Sequence, residues 1–509
     1  MSAAASLPAP GVRRRRPASQ VSGLLIVCSG SLAGALALRA PVPVIGAIVV
    51  AVLALGVLAR PSVALVAAFA LIPFHIAAYD ALTVRAGVDP GQLALWKDAL
   101  LVSLLARGVF DRVRAGAPAG PRSPGDLLLV AYVGLLSVLA LASPNLHAAG
   151  NALAADVEGP LLLLAIVALA PPRRVLVACL VAIAAVAAVM AAGALVEQGL
   201  HEGFPRWFGR EPDSEVYYSD LVTRTGYRSG SFLGDSLVLG FFLSATTGAA
   251  LALVAMARTS GERLLALAGL ALGIAGTAVT YTRSAYAGVG VGVVVGIVLL
   301  ARPPRIRAAL VGLVVVAAGS VVLGLTLSGD QHLTHGGDAQ VHLDIVGGDL
   351  DLIALRPLGY GLGTTDAIAR RFDVREVSQT SGTAGAVGPS AESVYLGAAV
   401  EAGVLGFVVY MASLFTILLR LIHARRRALG AADGVAAAAT GGAIATLLAT
   451  AVAGLVLPIR ELPVEIMWWG IPGLALVLAG ERLQPAATAP GHRPGQAGGG
   501  TPAAAGTGS

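Results

Sequence analysis

Apolar stretches of about 18 to 25 residues recur along most of the chain, and clusters of arginine fall on alternate sides of them. A bilayer's hydrocarbon core is about 30 Å thick, and roughly 20 apolar residues of α-helix cross it. Inside that core every backbone polar group must be satisfied within the protein, so repeated stretches of this length specify a bundle of membrane-spanning helices. Spans are expected near 22–38, 42–59, 62–79, 93–110, 126–142, 156–170, 175–196, 232–256, 264–281, 285–301, 308–327, 391–419, 435–457 and 464–480. The fold class is therefore an all-α polytopic membrane protein with about 14 transmembrane helices and a large extracytoplasmic loop.

The bulk numbers agree. Of 509 residues, 56% are hydrophobic and 13% charged, against about 25% charged in soluble domains. The formal net charge of +6 resides mostly in short loops between spans and is no sign of nucleic-acid binding. Lys97 is the only lysine, so nearly every cation is a guanidinium, a planar fork that suits phosphate. Cys28 and Cys179 lie in separate apolar segments and suggest neither a disulfide framework nor a metal site. Arg13 to Arg16, followed by the apolar run Val21–Leu38, has the look of a signal peptide. The next apolar run begins at Val42, so the first is read as an uncleaved span.

Orientation follows from the arginines. Arg13 to Arg16, Arg60, the 107–122 cluster, Arg173/Arg174, Arg258/Arg263, the 302–307 cluster and Arg420/Arg425/Arg426/Arg427 share one side. The excess of basic residues in short loops marks that side as cytoplasmic. Both termini then face the cytoplasm of a plasma membrane. The expected organisation is a basic N-terminus (1–21), N-terminal spans (22–196), an extracytoplasmic loop (197–231), spans with an arginine-bearing turn (232–327), a large extracytoplasmic loop (328–390), C-terminal spans (391–483) and a disordered tail (484–509) rich in Pro, Gly, Ala and Thr.

Chemistry is expected on the long external loops, since loops of that length are usually functional or disordered. The 328–390 loop mixes Asp and Arg with His332, His335 and His342, but their spacing matches no metal motif, and no metal or other cofactor is called for. Within it, Leu343–Leu355 has the apolar spacing of a short amphipathic helix. The 197–231 loop carries Arg206, Arg210 and Arg224 among acids and aromatics. Arg228, in Gly226-Tyr227-Arg228-Ser229-Gly230-Ser231-Phe232, and Arg283, in Thr280-Tyr281-Thr282-Arg283-Ser284-Ala285, belong at the external membrane boundary among small neighbours. Two forked cations there suit a lipid-anchored diphosphate; by position alone they equally suit snorkelling to lipid head groups.

Four motifs, in order, resemble those of the O-antigen ligase and O-antigen polymerase superfamily of bacterial envelope glycosyltransferases. Arg228-Ser229-Gly230-Ser231-Phe232 is similar to the family's Arg-x-Gly-Thr-Phe. The turn Thr280 to Ala285 is similar to its Thr-x-Ser-Arg-Gly/Ser-Ala. Arg356-Pro357-Leu358-Gly359-Tyr360-Gly361-Leu362-Gly363 is similar to its Pro-Leu-x-Gly-x-Gly. Glu392-Ser393-Val394-Tyr395-Leu396, with Glu401-Ala402-Gly403-Val404-Leu405-Gly406, resembles its His-Asn-x-Tyr-Leu…Glu-x-Gly-Leu-Leu-Gly. The resemblance covers about 225–420. Glu392 stands where ligases carry His, which favours a polymerase over a ligase.

The resemblance implies transfer of a glycan from a polyprenyl-diphosphate-linked donor to a glycan or lipid acceptor on the outer face, in surface polysaccharide assembly. It implies Arg228, Arg283 and Glu392 as the catalytic set, with Arg224, Arg356 and Tyr395 joining the two arginines in binding substrate. Glu392 either serves as base or is a helix-start acid stabilising the dipole. Glu401, about two turns deeper, is expected to pair with an arginine or to line the acceptor path. Implied partners are the lipid-linked donor, the acceptor, membrane lipids and polysaccharide assembly proteins, with no nucleic acid. The competing reading is a transporter or flippase for a polar or lipid-linked solute. Such a carrier places ionisable groups near span centres, whereas here they gather at span ends and in loops.

Overall fold

The computed structural model describes residues 52, 54–86, 90–116, 123–143, 145–200, 222–223, 226–300, 336–365, 374, 393–456 and 460–480. The expected spans at 22–38 and 308–327, and most of that at 42–59, lie outside the described residues.

The described chain is a helical bundle. Its helices are α1 (Pro61–Leu71), α2 (His75–Ala86), α3 (Pro90–Arg114), α4 (Pro124–Leu141), α5 (Leu146–Leu169), α6 (Arg173–Leu200), α7 (Ser236–Met256), α8 (Ser260–Ala278), α9 (Arg283–Leu300), α10 (Gly336–Leu355), α11 (Val394–Gly430), α12 (Gly434–Ala453) and α13 (Leu462–Leu478). Among the described residues nine helical segments are long and apolar enough to cross a membrane, the first running through a 3₁₀ turn from Pro61 to Tyr79; the 17-residue α13 is a shorter apolar helix. The protein is thus an all-α polytopic membrane protein. The only strands described are Val222–Thr223 and Gly226–Tyr227, a two-residue antiparallel ladder leading into the Arg228 segment.

Local sequence sets the helix starts. Ser123 and Asp126 form a capping box at α4, and Thr259 and Glu262 form another at α8. Asn145, Asp235 and Asp433 accept backbone N–H groups at the starts of α5, α7 and α12. Each side-chain oxygen replaces a carbonyl that the first turn lacks. The Asn145 cap also explains a difference from expectation. The span near 156–170 extends back to Leu146, so most of the segment expected as the loop 143–155 is the first turns of α5. Pro160 sits inside that helix. Likewise α10 begins at Gly336, ahead of the short amphipathic stretch expected at Leu343–Leu355.

Apolar attraction gives no net drive between helices in lipid, so close approach of small residues carries the packing. Gly248 of α7 faces Gly442 of α12, and Gly288 and Gly292 of α9 lie against Ala449 and Ala453. Thr446 adds a hydrogen bond to the Ala245 carbonyl (2.8 Å). α13 is buried along its whole length. Its Trp468 and Trp469 join Tyr132, Phe241, Tyr395 and Tyr410 in one aromatic cluster with centroid separations of 5.4–6.5 Å.

The bundle has two polar ends. At one, Arg420 pairs with Asp126 (2.8 Å), Arg173 with Asp433 (2.7 Å), and Arg425 donates to the carbonyls of Ala437 and Leu299. Toward the other lie Lys97 with Asp98 and Glu158, Glu197 with the Ser231 amide, and Arg460 with Asp156 and Glu401; Asp156 and Glu158 sit midway along α5. Span ends that the arginine pattern assigns to one side therefore meet in space.

Candidate functional site

The second polar end brings the four sequence motifs onto three structural joints. The first joint holds Arg228 and Arg283. α8 and α9 are linked by the tight turn 279–282, in which Tyr281 has φ 51°. Thr280 donates to the Thr277 carbonyl (2.8 Å), and the Thr282 hydroxyl reaches the Ser236 carbonyl at the start of α7 (3.3 Å). The Arg228 segment lies against this turn. Ser229 N donates to the Val279 carbonyl (3.1 Å) and Arg228 Nε to the Thr280 carbonyl (3.2 Å). The two arginines thus share one turn although 55 positions separate them.

Arg283 is exposed at the first residue of α9, whose first turn carries no acid. A cation there opposes the positive end of the helix dipole. The leading N–H groups of a helix are donors that lack intrahelical partners. Ser231 is a second non-glycine residue at positive φ, 51°. Left-handed backbone at such residues costs of order 1–3 kcal/mol and persists where surrounding contacts hold it. Here the hold is Glu197, a buried carboxylate at the end of α6 that accepts the Ser231 N–H (2.6 Å). The Asp235 cap of α7 lies four residues on.

The second joint explains the glycines of the third and fourth motifs. α11 breaks at Gly403, with φ 70° and ψ −178°. The break frees the Val400 and Glu401 carbonyls and the Val404 N–H, and the segment after α10 takes all three. Tyr360 N donates to Val400 O (2.9 Å), Gly361 N to Glu401 O (3.1 Å), and Val404 N to Pro357 O (2.9 Å). Gly359, Gly361 and Gly363 all have positive φ, at 88°, 101° and 76°. A Cβ at Gly359 would meet the Glu401 carbonyl, and one at Gly403 would meet the Pro357 carbonyl. These glycines serve backbone docking between a loop and a broken helix, in the manner of irregular backbone buried within a membrane protein. Arg356, at the start of this loop, is exposed and sits 4.8 Å above the Tyr360 ring.

The third joint is a buried ion network. Arg460 Nη1 contacts Asp156 Oδ2 (3.1 Å) and Glu401 Oε2 (2.8 Å), and Nη2 contacts Thr365 Oγ1 (3.2 Å). Glu401 Oε1 accepts both the Thr365 amide (3.0 Å) and hydroxyl (2.7 Å). Glu401 therefore pairs with an arginine, the first of its two expected roles. Asp156 and Glu158, two positions apart on α5, point to opposite neighbours: Asp156 to Arg460, Glu158 to Lys97. Lys97 also meets Asp98 (3.1 Å), so one cation serves two carboxylates.

Tyr395 lies in the aromatic cluster, buried, with its hydroxyl donating to the Ala451 carbonyl (2.9 Å). Ser393 caps α11 and also donates to the Gly454 carbonyl (3.0 Å), which ties the start of α11 to the end of α12. Glu392, Arg224, His332 and His335 lie outside the described residues. Among the described residues no group of three or more His, Cys, Asp and Glu is placed to hold a metal. Sequence reasoning missed Arg460, Asp156 and Glu197. The available signal was the rarity of ionisable residues at the ends of apolar spans.

Residues 268–411 match the family model described as O-antigen ligase. The matched segment contains Arg283, the glycine-rich loop and Glu401. A search of the curated proteins finds no match.

Proposed function

We propose, from the match of residues 268–411 to the O-antigen ligase family model, that this chain transfers or polymerises glycans carried on a polyprenyl diphosphate at the outer face of the plasma membrane. The observation that carries the reading is the shared turn: Arg228 donates into the Thr280 turn, and Arg283 opens the helix that follows it.

In the proposed reaction the acceptor hydroxyl oxygen attacks the anomeric carbon of the donor glycan. The bond from that carbon to the diphosphate breaks, and polyprenyl diphosphate leaves. Negative charge grows on the diphosphate as the bond lengthens. Arg228, Arg283 and the N–H groups at the start of α9 oppose that growth, and donors fixed in place before reaction do so most effectively. Glu392, which immediately precedes the Ser393 cap, takes the proton of the acceptor hydroxyl and passes it to solvent. Arg356 and Arg224 contact the glycan or the diphosphate. Glutamate in place of the ligase histidine favours polymerisation over ligation.

The test is the length distribution of the surface glycan in cells carrying Arg228→Ala or Arg283→Ala, with membrane levels of the protein checked in parallel. Loss of polymer at unchanged protein level is expected. Normal polymer in both variants overturns the assignment, and lost solute uptake with normal polymer turns it toward the carrier.

A further inference from the structure

The segment Pro357–Thr365 is held at both ends by different means. At its start, Pro357, Tyr360 and Gly361 dock onto backbone groups exposed by the break at Gly403. At its finish, Thr365 is held by the Glu401 carboxylate and by Arg460 Nη2. Arg460 comes from the connection between α12 and α13, and Asp156 from α5. Both lie outside 268–411, the segment that matches the family model.

A guanidinium placed only to neutralise buried charge need meet only carboxylates. This one faces two buried carboxylates, so the group of three keeps a formal charge of −1 when ionised. Its second nitrogen is directed to a hydroxyl at the end of the loop. Arginine's rigid fork fixes both directions at once, which a point charge does not.

We propose that Arg460 is a positioning residue that clamps the Arg356–Thr365 loop against the outer half of α11, with Asp156 orienting its guanidinium. The clamp sets where Arg356 stands relative to the Ser393 end of α11. This inference rests on the function proposed above for its catalytic consequence, but the clamp itself is measurable without any reaction.

The experiment compares full-length wild-type protein with the double variant Arg460→Gln/Asp156→Asn. The pair of changes keeps the formal charge of the network at −1, and Glu401 loses its cation but keeps the Thr365 amide and hydroxyl as donors. Amide hydrogen exchange is read alongside steady-state transfer from a polyprenyl-diphosphate-linked glycan. The expected result is a folded protein of lowered melting temperature, with exchange at Tyr360, Gly361 and Thr365 accelerated at least about tenfold more than in the surrounding helices, because local opening sets exchange. Transfer is expected to lose at least about tenfold in kcat with little change in donor KM, since a displacement near 1 Å can cost far more than that. If the double variant does not fold, Arg460→Lys replaces it, and loop exchange between wild-type and unprotected rates is expected. Wild-type exchange with wild-type transfer would show Arg460 to be a charge neutraliser and overturn the proposal, as would a loosened loop with full transfer. Absence of transfer in the wild-type protein would count against the proposed function, and exchange alone would then decide the clamp.

Discussion

The two polar ends of the bundle use charge differently. At the Arg420 end the ion pairs join helix starts to neighbouring helices. Arg173–Asp433 is largely solvent-exposed, while Arg420–Asp126 is nearly buried beside the α4 capping box. At the Arg460 end the charged groups hold loop backbone. Glu197 binds the Ser231 amide, Glu401 binds the Thr365 amide, and Arg228 binds the Thr280 carbonyl. Positive-φ residues occur at both ends, but at the first Ala170 and Ala432 simply close helices, whereas at the second Ser231, Tyr281, Gly359, Gly361, Gly363 and Gly403 lie in connecting segments or at a helix break. Charge at the first end ties the starts of α4, α6 and α12 to neighbouring helices. Charge at the second holds irregular backbone in shapes it would not keep by itself, as expected where preorganisation serves chemistry.

Four changes would break or sharpen that contrast. Asp126→Ala strips Arg420 of its carboxylate and α4 of its capping box. Removing one partner of a buried pair costs about 3–5 kcal/mol, so a large drop in thermal stability is expected in detergent-solubilised protein. Transfer per folded molecule should stay near wild type; a selective loss of turnover would erase the distinction between the ends. Arg283→Ala should do the opposite. By analogy with other charge-stabilising donors it lowers transfer by on the order of 100-fold, with the melting temperature nearly unchanged.

Gly403→Ala comes third. It forces a side chain into left-handed backbone and against the Pro357 carbonyl. A cost of roughly 1–3 kcal/mol is expected, visible as a lower melting temperature together with lost loop protection in exchange experiments. An unchanged melting temperature would mean that the loop does not depend on the break.

Asp433→Asn should have the smallest effect. Partial burial raises the Asp433 carboxyl, but the Ala436 and Val435 amides and the Arg173 guanidinium outweigh it and hold the group below its ordinary value. A depressed carboxylate contributes stability above its unfolded pKa and loses it as pH falls through its folded value. Exposed pairs contribute less than about 1 kcal/mol. The wild-type advantage over Asp433→Asn should therefore be slight at neutral pH and disappear in acid, as read from melting temperatures across a pH series.

Much of this architecture was legible in the chain. Apolar length located the spans that α4, α6, α7, α8, α9, α11 and α12 occupy, and Arg228 and Arg283 stood out as cations among small residues at span boundaries. The start of α5 was written in Asn145 but masked by the acids and Pro160 that follow, which made a continuous helix look like a loop and a short span. The ion network was not legible. Arg460 is 304 positions from Asp156 and 59 from Glu401, and no local periodicity encodes such a pairing. A lone arginine in a short connection between spans reads equally well as a snorkelling cation. The glycines of the third motif were visible in the chain, yet their partner, the break at Gly403, emerged only in three dimensions.

The central claim is that the turn shared by Arg228 and Arg283 grips a diphosphate as it departs. Its most direct measurement is release of polyprenyl diphosphate by the purified protein supplied with a polyprenyl-diphosphate-linked glycan and acceptor, for wild type and Arg283→Ala. One released carrier per glycosidic bond formed, slowed about 100-fold in the variant at unchanged stability, is the predicted result. Equal release by both proteins would contradict it.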